Sequence, residues 1–211
     1  MKKEELELLA KQKLIEMKEF ENQLYAKGIR YIAGVDEVGR GPLAGPVVAA
    51  AVILPADFDV LGIDDSKKLS EKKREELFPI IKEKAITYSI GIVDNKKIDE
   101  INILEATKLA MKQAIESLEP MAEYILIDAL ILKDVDIPQT GIIKGDSKSV
   151  SIAAASILAK VTRDRMMKDF HEEFPYYAFD KNKGYGTKAH YEGIDKHGIC
   201  YLHRRSFLKG L

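Results

Sequence analysis

The chain is short of cysteine: Cys200 stands alone among 211 residues. A lone thiol closes no internal disulfide and gives a zinc site no second sulfur, so it is expected to be inert. Apolar runs stop well short of the ~20 residues that a membrane-spanning helix needs. There is no internal repeat and no low-complexity tract. Excess charge is missing too. The net charge of −1 argues against a protein that grips polyanions over its whole surface. The opening residues, Met1-Lys2-Lys3-Glu4-Glu5, lack the apolar core of a secretory signal, so a cytoplasmic, membrane-free monomer is expected. No phosphate-cradling loop ending in lysine occurs. Gly39-Arg40-Gly41 with Gly45 misses the dinucleotide fingerprint by one residue, and Pro42 and Pro46 would interrupt the helix that should bind pyrophosphate. What remains, 46% hydrophobic and 32% charged, is the composition of one globular unit with a sizeable core.

Within that unit the apolar residues are patterned. Leu6, Ala10, Leu14, Met17 and Leu24 recur at helical spacing and predict one amphipathic helix over residues 1–26, an extension packed on the main body. Tyr31 to Val35 and Val47 to Leu54 read as buried strands. Ser70 caps a polar helix that starts at Glu71, and Ala85 to Val93 is another strand. Ile101 to Leu118 predicts a helix with Leu104, Met111, Ile115 and Leu118 on its packed face, stopped by Pro120. Glu123 to Asp128 is a continuous apolar strand, Gly141 to Lys144 a short one, and Ile152 to Lys160 a helix of small residues. Strands without alternation suit a sheet covered by helices on both faces, which makes the fold class α/β. From Phe174 onward loops and short helices are expected, with Phe174, Tyr176, Tyr177 and Phe179 as a satellite core.

Four acids stand apart from the rest. Asp36, Glu37, Asp128 and Asp146 each sit at the end of an apolar element rather than on an exposed helix face. In open α/β sheets functional groups gather at the carboxyl ends of strands, so these acids are expected to converge on one crevice. Clustered carboxylates at the edge of a core are costly unless a hard cation neutralises them. Two divalent ions ~4 Å apart need about this many carboxylate oxygens. Asp146 alone also reads as a turn-former or cap. Glycines around Arg40 let the backbone approach a sugar or phosphate closely. Tyr185, set between Gly184 and Gly186 in a lysine-rich stretch, suits stacking on a sugar or base, with a flexible loop as the plain alternative. Arg163-Asp164-Arg165 is read as a salt-bridged helical cluster rather than as a metal ligand. Basic clusters at Lys67-Lys68 with Lys72-Lys73-Arg74, at Lys181 to Lys188, and at His203-Arg204-Arg205 with Lys209 are, taken singly, solvated faces.

Taken together these residues resemble ribonuclease HII, the type 2 ribonuclease H family of bacteria. The resemblance runs from Tyr31 to Phe207. It is carried by Asp36-Glu37-Val38-Gly39-Arg40-Gly41-Pro42, Asp65-Ser66-Lys67-Lys68-Leu69, Asn102-Ile103-Leu104, Ile127-Asp128, Lys144-Gly145-Asp146-Ser147, Ala154 to Val161 and Asn182-Lys183-Gly184-Tyr185-Gly186-Thr187. It implies a ribonuclease H-like fold, a mixed central β-sheet flanked by α-helices, with a helical C-terminal region. The catalytic domain would be residues 27–211, and residues 1–26 an N-terminal helical extension that compact members lack.

The same resemblance makes Asp36, Glu37, Asp128 and Asp146 the catalytic, metal-binding set for two Mg²⁺ or Mn²⁺ ions. Gly39, Arg40 and Gly41 would read the ribose 2′-hydroxyl, Tyr185 would meet the sugar at the ribonucleotide-to-deoxynucleotide junction, and Lys67 would hold a phosphate. The implied substrates are RNA/DNA hybrids and duplex DNA containing ribonucleotides, cut on the 5′ side of the ribonucleotide to leave 5′-phosphate and 3′-hydroxyl ends, as in ribonucleotide excision during replication and repair. One ion would activate water for in-line attack and the other would stabilise the leaving oxygen. Two other readings are a metal-dependent phosphatase, disfavoured because Val38 stands where its second aspartate belongs, and a non-catalytic hybrid-binding protein, disfavoured by the intact acid set. A contact with a replication clamp is open, but Ser206-Phe207-Leu208 is too generic to carry it.

Overall fold

The computed structural model describes residues 3–208; Met1, Lys2 and the Lys209 of the last basic cluster lie outside them. Its elements are α1 (Lys3–Met17), α2 (Glu19–Tyr25), β1 (Ile32–Val38), β2 (Val47–Ile53), α3 (Glu71–Lys84), β3 (Thr87–Val93), α4 (Asn95–Ile101), α5 (Ile103–Glu116), β4 (Tyr124–Asp128), β5 (Gln139–Ile142), α6 (Val150–Glu173), α7 (Phe179–Asn182) and α8 (Lys188–His197). The strands form one sheet in the order β3-β2-β1-β4-β5. Antiparallel pairing joins β1, β2 and β3, whereas β4 and β5 run parallel to β1. The sheet is therefore mixed and covered on both faces, the architecture expected.

Strand alternation divides the core. Val47, Ala49, Ala51 and Ile53 of β2 face Met111 and Ile115 of α5, while Val48, Ala50 and Val52 face Ala154, Ile157 and Leu158 of α6. The second contact is tight because α6 begins with small residues. A Cβ on Gly34 would collide with the backbone of Ser151 and Ile152, so only glycine lets α6 lie this close to β1. The C-terminal region gathers Tyr177, Phe179, Ile194 and Leu202 around Met167 of α6. Tyr176 is not part of that core; it is half-exposed and stacks on His197 with ring centroids 4.2 Å apart. No helix among the described residues is long and apolar enough to cross a membrane.

Three expectations need correction. The N-terminal residues form two helices instead of one, broken at Lys18, whose ammonium donates to the carbonyls of Ala56 and Phe58 at 2.7 and 3.1 Å. That anchor turns the chain so that both Met17 and Leu24 become buried, while Leu6 stays half-exposed. The helix expected from Ile101 to Leu118 is likewise split, because Asn102 adopts φ 69° and its side-chain oxygen caps the N–H groups of Leu104 and Glu105 at 2.9 and 3.2 Å. Leu104 faces outward at this first turn. The fifth strand also ends two residues early, at Ile142, because Lys144 turns through the left-handed region at φ 57°.

The extension is bound into the body by more than apolar contact. Glu21 is buried, and its Oε1 accepts from the Ser149 hydroxyl at 2.6 Å and from the Ser151 N–H at 3.0 Å. Burial raises the pKa of its carboxyl against the pull of those donors. Ser149 itself caps α6, accepting from Ile152 N–H. Glu21→Ala strips these donors of their partner inside a dry interface and is expected to cost about 1–3 kcal/mol, read as a lower urea midpoint with an unchanged slope.

Candidate active site

Asp36 and Glu37 lie inside β1, which continues past the end expected at Val35. They pair across to Ala50 and Ala49, and the strand runs on to Val38. Successive strand residues point to opposite faces, so Asp36 turns toward α6 and Glu37 away from it. Parallel pairing brings Val35 level with Ile127, which sets Asp128, the last residue of β4, beside Asp36 at the same edge. Asp146 arrives from the short 3₁₀ turn Gly145–Ser147. The two segments are tied, because Gly145 N–H donates to Asp128 Oδ1 at 2.7 Å. The four acids named from the sequence therefore share one crevice at the carboxyl ends of two neighbouring strands.

Their electrostatics records the crowding. Burial raises the Asp36 pKa well above the carboxylate range, the Glu37 and Asp128 charges add to the rise, and the Ser156 hydroxyl opposes it. Glu37 is raised chiefly by burial, against the nearby Arg40 guanidinium. Asp146 is pushed to about 6 by burial, then by the charges of Asp65 and Asp128. Partial burial disfavours the Lys67 ammonium, yet the surrounding Asp36 and Asp146 charges raise its pKa.

The donor set fits hard divalent cations. All four are carboxylates, two of them buried, and the ionised forms of Asp36, Glu37 and Asp146 are penalised until positive charge arrives. No three His, Cys, Asp or Glu side chains among the described residues close into a ready-made cage. Open sites of this kind suit Mg²⁺-like ions, which keep waters and substrate phosphates in their shells.

The neighbours expected to read substrate are present. Arg40, half-exposed, reaches Glu37 at 3.4 Å, and the exposed Lys67 lies 3.9 Å from Asp146. Tyr185 is 46% exposed, and the edge of its ring is 3.4 Å from where a Cβ on Gly41 would be. The tyrosine ring and the Gly-Arg-Gly loop thus form one surface next to the acids.

What holds that surface was missed in the sequence. Arg163 is buried and takes no part in a salt-bridged cluster; it donates to the carbonyls of Pro46, Lys183 and Ala44 at 2.9, 2.8 and 3.2 Å. Arg204, also buried rather than solvated, donates to those of Gly39, Arg40 and Gly45 at 2.6, 2.9 and 2.9 Å. Burial lowers both pKa values, to about 10 and about 9, and both stay charged at neutral pH. The salt bridges expected around Arg163 belong to its neighbours: Asp164 pairs with Lys160 at 2.8 Å and Arg74 at 3.6 Å, and Arg165 with Glu75 at 2.5 Å. Asp65 and Ser156 were also missed. Asp65 accepts from Lys67 N–H at 2.9 Å and shares a hydrogen bond with Asp146. Ser156 meets Ser66 hydroxyl to hydroxyl at 2.8 Å. Asp65 and Ser66 open the motif that ends in Lys67-Lys68-Leu69, and that adjacency was the available signal.

Comparison with known proteins agrees with this geometry. The family model of ribonuclease HII matches residues 33–209. Ribonuclease HII of Listeria innocua is 60% identical over 206 residues, covering 98% of this chain and 78% of the relative. Among solved structures, ribonuclease H2 of Pyrococcus horikoshii is 30% identical with a TM-score of 0.68, covering 83% of this chain and 92% of its own. Ribonuclease HII of Archaeoglobus fulgidus, solved in complex with PCNA, is 28% identical with a TM-score of 0.71, covering 85% and 95%. A mixed sheet with acids at its carboxyl edge, matched over nearly the whole chain to these relatives, makes this protein a member of the ribonuclease HII family.

Proposed function

We propose that Asp36, Glu37, Asp128 and Asp146 bind the divalent ions with which this ribonuclease H, an endoribonuclease acting on RNA/DNA hybrids, hydrolyses its substrate, and that the ions are Mg²⁺ or Mn²⁺. The observation that carries the reading is the convergence of four carboxylates, with Asp36, Glu37 and Asp146 raised in pKa and Asp128 tied to Gly145, beside the Gly39–Gly41 loop and the Tyr185 ring. When bound, the ions supply the Lewis acidity toward water and the leaving oxygen that carboxylates lack. The chain's own residues do the rest. Gly145 N–H orients Asp128 and the Ser156 hydroxyl favours ionised Asp36. Lys67, already facing the acids, holds a substrate phosphate. Gly39, Arg40 and Gly41 bring backbone close enough to test for a 2′-hydroxyl, and Tyr185 meets the sugar on its other side. The activity proposed for this arrangement is cleavage 5′ of a ribonucleotide embedded in duplex DNA, leaving 5′-phosphate and 3′-hydroxyl ends, as the family resemblance implies.

Residues 1–26 belong in this reading as a buttress of α6, distinct from the catalytic domain of residues 27–211. The A. fulgidus relative binds PCNA. Here Ser206 bonds Asp99 through its N–H at 3.0 Å, and Phe207 packs on the core beneath Arg204. A clamp contact is therefore not placed on Ser206-Phe207-Leu208.

Three outcomes are expected. On a duplex carrying one ribonucleotide, with Mg²⁺ or Mn²⁺, Asp36→Asn loses more than ~100-fold in kcat/KM; equal cutting by variant and parent sinks the metal assignment. Gly39 sits at φ 96° with Arg163 and the Pro46 carbonyl where a Cβ would go, so Gly39→Ala strains the loop by about 1–3 kcal/mol and weakens cutting at a single ribonucleotide. The third concerns pH. Asp36 and Asp146 have folded pKa values above their unfolded ones, so in metal-free protein the unfolded chain releases its protons first and the folded state loses stability as pH rises through that window. Ions bind the deprotonated acids. Mg²⁺ should then raise the melting temperature more at pH 8 than at pH 5, and Asp146→Asn should raise the metal-free melting temperature at pH 7.

A further inference from the structure

Behind Tyr185, His190 and His203 meet ring to ring, Nε2 to Nε2 at 3.1 Å, and both are buried. Two hydrogen-bonded ring nitrogens need one proton between them, so one imidazole donates and the other accepts. Groups with no choice set the direction at both ends. The backbone N–H of Cys200 donates to His203 Nδ1 at 2.9 Å, much nearer than the Cys200 carbonyl at 3.4 Å; that nitrogen is therefore bare and the His203 proton sits on Nε2. At the far end His190 Nδ1 lies 2.9 Å from the Tyr185 carbonyl, which only accepts, so His190 carries its proton on Nδ1 and presents a bare Nε2. The two deductions agree. Cys200 N–H, His203, His190 and the Tyr185 carbonyl form one directed chain through two neutral imidazoles.

The surroundings keep the chain neutral and rigid. The Tyr177 and Phe179 rings pack against the pair at centroid distances of 4.8 to 6.1 Å. The Tyr177 hydroxyl is turned away to the Gly198 carbonyl at 2.7 Å, and Cys200 Sγ lies 3.2 Å from His203 Nδ1. Asn95 Nδ2 donates to the His203 carbonyl at 3.1 Å, and the neighbouring Arg204 guanidinium is occupied by the Gly39, Arg40 and Gly45 carbonyls. No carboxylate among the described residues bonds either ring.

Support from behind matters for Tyr185, because its ring is half-exposed, with one edge against Gly41. Its N–H donates to the Asn182 carbonyl at 2.9 Å, and its carbonyl also takes Thr187 N–H at 2.8 Å. The consecutive pair His203-Arg204 thus holds both halves of the surface, Tyr185 through His190 and the Gly39–Arg40 backbone through the guanidinium. We propose that His190 and His203 are positioning residues that set Tyr185 against Gly41, and so govern discrimination of the ribose-to-deoxyribose junction. This rests on the assignment of Tyr185 to the junction sugar.

The test compares kcat/KM on a duplex with one embedded ribonucleotide against that on an all-RNA strand in a hybrid. His190→Phe and His203→Phe keep an aromatic ring in the aromatic shell but cut the chain, and each should lower the ratio about tenfold. His190→Asn, whose amide nitrogen takes the place of Nδ1, should restore most of it. Independently of any variant, imidazole ¹⁵N spectra of the parent at pH 7 should show His190 protonated on Nδ1 and His203 on Nε2. Other tautomers, or a charged ring, overturn the proposal, as do equal losses on both substrates. A Tyr185→Ala ratio that shifts while the histidine variants do not overturns the relay alone. An unchanged Tyr185→Ala ratio removes the junction role from Tyr185 itself.

Discussion

Two buried guanidiniums without carboxylate partners are the constraint around which the substrate-reading half of this protein is built. The loop from Gly39 to Pro46 carries three glycines and two prolines, so it makes no regular ladder and its carbonyls need donors from elsewhere. Arg163 and Arg204 supply them from positions far along the chain, reaching Gly39, Arg40, Ala44, Gly45 and Pro46. A planar fork of fixed donors suits this task, and lysine would not replace it. The same bonds satisfy both sides, since a buried guanidinium with free N–H groups would be as costly as the orphaned carbonyls.

That arrangement has an electrostatic consequence. Because the two arginines are used up on carbonyls, neither forms a salt bridge to the acids. Among the described residues, the cations paired with the four acids are Arg40 at 3.4 Å and Lys67 at 3.9 Å, both substantially exposed. Such loose contacts on long side chains are worth little and are readily given up. Asp36, Glu37 and Asp146 keep their raised pKa values and the acid set its need for a hard cation, while Arg40 and Lys67 stay free to turn to a phosphate.

The sequence made the acids legible because each closes an apolar run, and the α/β class legible because its strands do not alternate. Ser70 and the small residues of α6 were equally plain. It ended the first strand at Val35, just before Asp36 and Glu37, since nothing local says that β1 continues to Val38 against β2. The break at Lys18 depends on carbonyls after β2, and the splitting of α4 from α5 on the left-handed backbone of Asn102. Arg163 was read from its charged neighbours as part of a salt-bridged helical cluster. A buried arginine satisfied by distant backbone leaves no periodicity or motif of its own, and the His190–His203 pair, thirteen positions apart, is hidden for the same reason.

One helix connects these parts. Glu21 and Ser149 fix the start of α6 just after Asp146, Ser156 turns to Asp36, and Arg163 lies under Gly39. Ser156 and Arg163 are two turns apart and share a face, so their Cα atoms differ in height by about 10 Å. Between Asp36 and Gly39 the extended chain advances three residues, also about 10 Å. The match lets α6 lie along β1 and act on the metal-binding acids at one level and on the sugar-reading loop at the next. The closeness of that match depends on Gly34, where the absent side chain admits the helix backbone. A bulkier residue there would lift α6 from the sheet and move both levels together, which is why the distance between cutting and reading is set by the fold rather than by either loop.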